Sequence, residues 1–228
     1  MLDQRIVFVD IESIGLDPSG AIRQIAAVAV DSALRELEAF EAKLNVNWRH
    51  IREWERDRRR RSPRPRPADE LAAAQGFADF LARHATTKLS LSGGRMFHVA
   101  QLAAHHAAHD GPFLQAFFER NHRFYPGNFR MLCTVQRALW WFHENSSLSP
   151  PLDFKLTTLC RYFGVQLRDE DAHDALNDVR ATVALYRAIL AATHRVTLPA
   201  SAGREPNHFQ EHRPARVQLQ RIQACHWR

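Results

Sequence analysis

Cysteine is scarce: Cys133, Cys160 and Cys225 are the only three in 228 residues, widely spaced and without a CxxC pair. That excludes a disulfide framework and a cysteine-based zinc ribbon, and it points to a reducing compartment, so a cytoplasmic location is expected. Lysine is scarce as well, with Lys43, Lys88 and Lys155 the only lysines among 31 basic residues. No apolar run approaches the roughly 18 residues of a membrane span. Met1-Leu2-Asp3-Gln4-Arg5 leads straight into a short apolar stretch, so neither a signal peptide nor a membrane partner is expected. No internal repeat is visible.

What is present describes a globular chain. With 45% hydrophobic and 25% charged residues the composition is not that of a disordered protein, and a domain of this size buries roughly 70% of its unfolded surface without needing a disulfide or structural metal. The formal charge is +6. Nine arginines between Arg49 and Arg66 face only Glu53, Glu55 and Asp57, so this stretch alone equals the net charge of the whole chain.

The pattern of elements changes along the chain. Arg5 to Asp10 reads as a buried strand ending in acid and Ile22 to Val30 as a second, with Gly15, Asp17-Pro18 and Gly20 supplying the turn. Leu34 to Val46 alternates less cleanly and is expected to complete a β-meander. Trp48 to Pro67 joins the arginine run to Pro63, Pro65 and Pro67, which suggests an exposed loop or insertion with no regular element at its end. From Ala68 the period becomes helical through Leu71, Phe77, Phe80, Leu81 and His84. Met96 to Ala104 fits a strand. Asp110 to Arg120, Val135 to His143, Leu156 to Phe163 and Asp174 to Ala192 fit helices, the last with Leu176, Val179, Val183, Tyr186 and Leu190 on its apolar face. Strands first and helices later predict an α/β fold, with a core domain over residues 1–196, a basic insertion at 48–67 and a basic tail at 197–228.

Three acidic clusters lie far apart, each at the end of an apolar element. In Asp10-Ile11-Glu12 the strand period of two puts both carboxylates on one face, where both can reach one metal ion. Asp110 opens a helix after a histidine-rich run, where its charge suits the helix N-terminus. His173 and Asp178 flank the start of the last helix. Five residues subtend about 140° on a helix, so His173 must precede that helix for both side chains to face one site.

These residues carry a resemblance. Asp10-Ile-Glu12-Ser-Ile-Gly15-Leu16-Asp17-Pro18 resembles the first motif, commonly DxETTGLDP, of the DEDDh family of 3'-5' exonucleases. His106-Ala-Ala-His109-Asp110-Gly-Pro-Phe113-Leu114 is similar to the second, commonly HNAxFDxxFL, and His173-Asp-Ala-Leu-Asn-Asp178 to the third, HxAxxD. Order and spacing agree over residues 5 to 192. The family includes the proofreading subunit of bacterial replicative polymerase, ribonuclease T and oligoribonuclease. The resemblance implies a ribonuclease H-like exonuclease fold, a mixed central sheet flanked by helices. It implies Asp10, Glu12, Asp110 and Asp178 as metal-binding acids and His173 as general base, with two divalent cations, Mg²⁺ or Mn²⁺, which hard carboxylate ligands favour over zinc. On this reading Asp10 bridges both ions, Glu12 and Asp178 complete one site, and Asp110 helps to hold the other, mainly through water. Leu16 matches the family position that wedges against the terminal base. Departures are His106 for the usual asparagine, His109 for an aromatic, and Gln24 for a glutamate often found in the second strand.

The implied substrate is the 3' end of single-stranded DNA or RNA, with a homodimer, a polymerase complex or a processing complex as open assemblies. Contacts to the terminal nucleotide are expected from Leu16 and His106, and phosphate contacts from Arg58, Arg59, Arg60 and Arg61. The alternative is a nucleic-acid-binding or polymerase-docking module that keeps the fold without the reaction. His105, His106 and His109 also admit a zinc cluster, and Trp140-Trp141-Phe142 admits base stacking, but structural packing is the plainer reading of both.

Overall fold

The computed structural model describes residues 4–46, 52, 56, 65–90, 94–166 and 174–196. Among them the elements run β1 (Ile6–Ser13), β2 (Ile22–Val30), β3 (Glu36–Lys43), α1 (Pro67–Arg83), β4 (Thr87–Ser90), β5 (Met96–Val99), β6 (Gln101–Ala104), α2 (Ala107–Arg120), β7 (Leu132–Cys133), α3 (Thr134–Glu144), α4 (Leu156–Tyr162) and α5 (Ala175–Val196). Five strands form one sheet in the order β3-β2-β1-β6-β7, and β4 and β5 form a separate hairpin. The meander β1-β2-β3 is antiparallel, while β6 and β7 join it in parallel. The sheet is therefore mixed and lies between helices, as the motifs imply.

Both faces of the central strands are covered, which explains their almost continuous apolar sequence. Val7, Val9 and Ile11 of β1 point into a core with Phe77 and Phe80 of α1 and Phe113 and Phe117 of α2. Phe8 points the other way, with Ala26 and Val28, onto Val179 and Val183 of α5. That helix is apolar on a second side too, where Ala181, Leu185 and Ile189 pack with Trp141 and Phe142 of α3 and Leu159 of α4. Strand β3 is the edge; Glu36 and Glu41 are exposed, while Phe40 stacks on Phe77 at 5.2 Å and Glu38, on the same face as Phe40, bonds Arg83 and His84.

Several boundaries differ from the sequence expectation, each for a local reason. Strand β3 begins at Glu36 rather than Leu34, because the Asp31 carboxylate accepts N–H bonds from Ala33 and Arg35 and closes a turn in which Leu34 takes φ 60°. The expected strand from Met96 to Ala104 is two: Ala100 donates to Pro126 and accepts from Asn128, which separates hairpin strand β5 from sheet strand β6. Strand β4, four residues long, carries too little pattern to be read. Pro67 is not a barrier but the first residue of α1, where a missing N–H costs nothing. Of the expected insertion, Arg52 and Arg56 are exposed and helical rather than looped; Arg58 to Arg61 lie outside the described residues, as does the tail from 197.

Candidate functional site

The acids converge at the end of the sheet where β1 and β6 finish. Asp10 and Glu12 share the parity of Phe8, so they sit on the face covered by α5, whose first turn holds Asp178. One carboxylate oxygen from each of Asp10, Glu12 and Asp178 lies within 4.8 Å of the others, and among the described residues no other group of three or more histidine, cysteine or acidic side chains gathers this closely. A register shift between Glu12 and Ser13 bends β1 directly beside them. The strand then enters a turn in which Ile14 donates to Ala21 and Gly15 adopts φ 80°, a backbone conformation that favours glycine. Leu16 follows at the turn's tip with 85% of its surface exposed.

Asp110 reaches the same place from α2. Strand β6 pairs with β1 only as far as Phe8, so the next stretch of β1 has no strand on that side, and the N–H of Ile11 donates to the Asp110 carboxylate instead. Asp110 is 4% exposed. It stands outside the 4.8 Å group but within its electrostatic reach. Burial raises the Asp10 carboxyl most, and the charges of Asp110, Asp178 and Glu12 add to it, pushing its pKa up to about 9. Burial likewise lifts Asp110, against its own N–H and that of Ile11 and with help from Glu12, to about 7. Four carboxyl groups this close are mutually unfavourable without a cation. Their donor set is all hard oxygen, which fits a divalent ion of the Mg²⁺ class.

Asp178 is placed by a network that the sequence pattern did not reveal. Asp174 precedes α5 as its cap, its carboxylate accepting from the N–H groups of Leu176 and Asn177 and its carbonyl from Asp178. Lys43, at the end of β3, donates to that carboxylate at 3.3 Å and pairs with Glu41 at 2.8 Å. Gln24 bonds Glu41 at 2.8 Å and also reaches Asp174. Partial burial works against the Asp174 charge, but the Lys43 ammonium and the Asn177 N–H hold its carboxyl below the usual range. The only sequence signal was Gln24 standing where a glutamate is common. Cys160 lies under this corner; burial, then the Asp178 charge, push its thiol up to about 12, so it stays a neutral packing group.

The remaining sequence candidates divide. His173 lies outside the described residues. His106 is exposed at the N-cap of α2. His105 has one ring nitrogen 2.8 Å from the Thr134 hydroxyl and the other 3.0 Å from the Phe154 carbonyl, and His109 packs on Phe113, so the three histidines form no metal cluster. Trp141 and Phe142 are core, whereas Trp140 is 62% exposed.

No protein-family model and no curated protein matches the chain. Solved structures do. The chain aligns with E. coli exonuclease I in complex with a dT13 oligonucleotide at TM-score 0.56 and 18% identity, covering 84% of this chain and 42% of that one. The zinc-ion-bound form of E. coli exonuclease I with single-stranded DNA aligns at TM-score 0.55 and 17% identity over 84% of this chain and 42% of that one. A product-bound exonuclease I aligns at TM-score 0.55 and 16% identity over 85% and 45%. The fold is thus the ribonuclease H-like fold of exonuclease I. This chain spans less than half the length of those structures.

Proposed function

We propose that the chain is a metal-dependent 3'-5' exonuclease of the DEDDh type that hydrolyses phosphodiester bonds at the 3' end of single-stranded nucleic acid. The observation that carries the reading is the meeting of Asp10, Glu12 and Asp178 within 4.8 Å, with Asp110 bonded to the adjacent Ile11 N–H. Acids from β1, α2 and α5, far apart in sequence, share one end of the sheet. A module that only bound nucleic acid would gain nothing from carboxylates that repel phosphate.

Asp10, Glu12 and Asp178 would hold one divalent cation, with Asp10 shared by a second toward Asp110. Bound there, two Mg²⁺ or Mn²⁺ ions supply charge neutralisation at the scissile phosphate and an activated water. The residues of the chain do the rest. Leu16, exposed beyond the Gly15 turn, packs on the terminal base and sets which phosphate reaches the acids. His106, exposed at the start of α2, contacts the terminal nucleotide. His173, just before α5, takes the proton of the attacking water on a ring nitrogen, a task that an unperturbed pKa near 6.5 suits at neutral pH. The Lys43–Asp174 contact holds the first turn of α5, and with it Asp178, against the sheet.

The test is incubation of 5'-labelled single-stranded DNA and RNA with Mg²⁺, reading the product ladder. One-nucleotide shortening from the 3' end that stops on adding EDTA is expected. Undiminished cleavage in excess EDTA, or none in Mg²⁺ or Mn²⁺, would overturn the reading.

A further inference from the structure

At the far end of α2 from Asp110 lies a cleft of about 540 Å³, framed by the β4–β5 hairpin, the last turn of α2 and the loop that leads to β7. Its apolar lining includes Phe97 and Phe118, but two of the rings that line it are not buried: Phe124 and Phe129 are each 71% exposed. Large aromatic rings left in water are costly unless something covers them. Arginine accompanies both. Arg123 lines the cleft beside Phe124, and the Arg130 guanidinium lies 5.4 Å from the Phe129 ring centroid. Among the described residues neither arginine pairs with a carboxylate, and the one acid of the lining, Glu119, is bonded by Gln115. The buried Tyr125 hydroxyl, also of the lining, has no hydrogen-bond partner among the described residues.

Exposed aromatic faces interleaved with uncompensated arginines are the chemistry that holds single strands, with rings stacking on bases and guanidinium groups on phosphates. We propose that this cleft is a second contact site for single-stranded nucleic acid, stacking an unpaired base on Phe124 or Phe129 and holding the adjoining phosphates on Arg123 and Arg130. The helix rise of about 1.5 Å per residue puts Glu119 roughly 13 Å along the axis from Asp110, so the cleft serves nucleotides upstream of the one being removed. In that sense the proposal rests on the nuclease reading.

The experiment is fluorescence anisotropy of labelled dT4 and dT16 in EDTA, alongside hydrolysis of a dinucleotide in Mg²⁺. Stacking is worth about 1–3 kcal/mol per base, so Phe124→Ala and Phe129→Ala should each weaken dT16 binding roughly 5-fold or more. Phe129→Trp should keep the affinity, Arg123→Ser with Arg130→Ser should flatten its salt dependence, and dinucleotide hydrolysis should not move. Unchanged dT16 affinity in the double alanine variant, with dinucleotide hydrolysis intact, would overturn this site and leave the nuclease reading standing. No hydrolysis by any form, with dT16 binding lost in the phenylalanine variants, would do the reverse. Wild-type affinity in a Phe124→Leu/Phe129→Leu variant would overturn stacking and point to an apolar protein partner.

Discussion

At the scale of single residues, the Asp10 carboxylate is strongly disfavoured by burial and by the charges of Asp110, Asp178 and Glu12 around it. Its carboxyl titrates near 4 in an unfolded chain and at about 9 in the fold. The folded state therefore holds the proton that the unfolded state loses. Stability contributed by this group is full below pH 4 and is lost progressively as pH rises toward 9. Replacing it by asparagine removes that dependence. Asp10→Asn should abolish cleavage, yet in EDTA it should melt above the wild type at pH 8, with the gap closing near pH 4. Thermal denaturation of both proteins across that range checks it; an Asp10→Asn protein less stable at pH 8 would mean that the carboxylate is already compensated. His173 gives the complementary prediction. His173→Ala should lower the rate by roughly 10² to 10⁴ without weakening metal binding, and the wild-type rate should climb through pH 6 to 7. A rate independent of pH from 5 to 8 at saturating metal would count against the imidazole.

Elements meet through a few polar contacts whose loss should be measurable. Asp174 both caps α5 and anchors it to Lys43. Asp174→Ala should cost about 0.5–2 kcal/mol as a lost cap, and should also weaken divalent-metal affinity by freeing the turn that bears Asp178. Lys43→Ala keeps the cap and should show the second effect alone. Calorimetric metal titration separates them, and equal metal affinity in both variants and wild type would confine Asp174 to a stabilising role. Elsewhere, Arg120 at the end of α2 meets Glu70 at the start of α1 at 2.6 Å, both largely buried, with Phe117 under the guanidinium. Removing one partner strands the other's charge, so Glu70→Ala should destabilise by about 3–5 kcal/mol. Chemical denaturation measures it, and a loss below 1 kcal/mol would mean that water reaches Arg120.

For the molecule as a whole, charge is the distinguishing feature. The stretch from Arg49 to Arg66 equals the entire net charge of +6, and we propose that it holds the phosphates of long substrates outside the catalytic core. Replacing Arg58, Arg59, Arg60 and Arg61 by serine should raise KM for a long oligonucleotide and flatten its salt dependence, because fewer counterions are released on binding. Hydrolysis of a dinucleotide should hardly change. Kinetics on both substrates at two salt concentrations decide the matter: equal losses would place the arginines in the active site or the fold, and no loss would make them a solvated face.

Much of the fold was legible in the sequence because its signals are local. Strand β2 has the expected limits, and α2 to α5 lie within a few residues of theirs, since apolar period and turn residues act over one element at a time. The parity of Asp10 and Glu12 likewise follows from the strand alone. Other features follow from neighbours that no local pattern names. The division of Met96 to Ala104 into two strands depends on Ala100, which donates its N–H to the Pro126 carbonyl and accepts from the Asn128 N–H. The second apolar face of α5 exists because α3 and α4 cover it. The Asp110 contact to the Ile11 N–H depends on β6 ending where it does, and the Lys43–Asp174 anchor joins residues 131 apart. The sequence by itself determined on which face of its own element each candidate acid stands. Only the tertiary structure decided which of them meet, because the distances that set metal affinity and carboxyl pKa are made by packing between elements rather than within them.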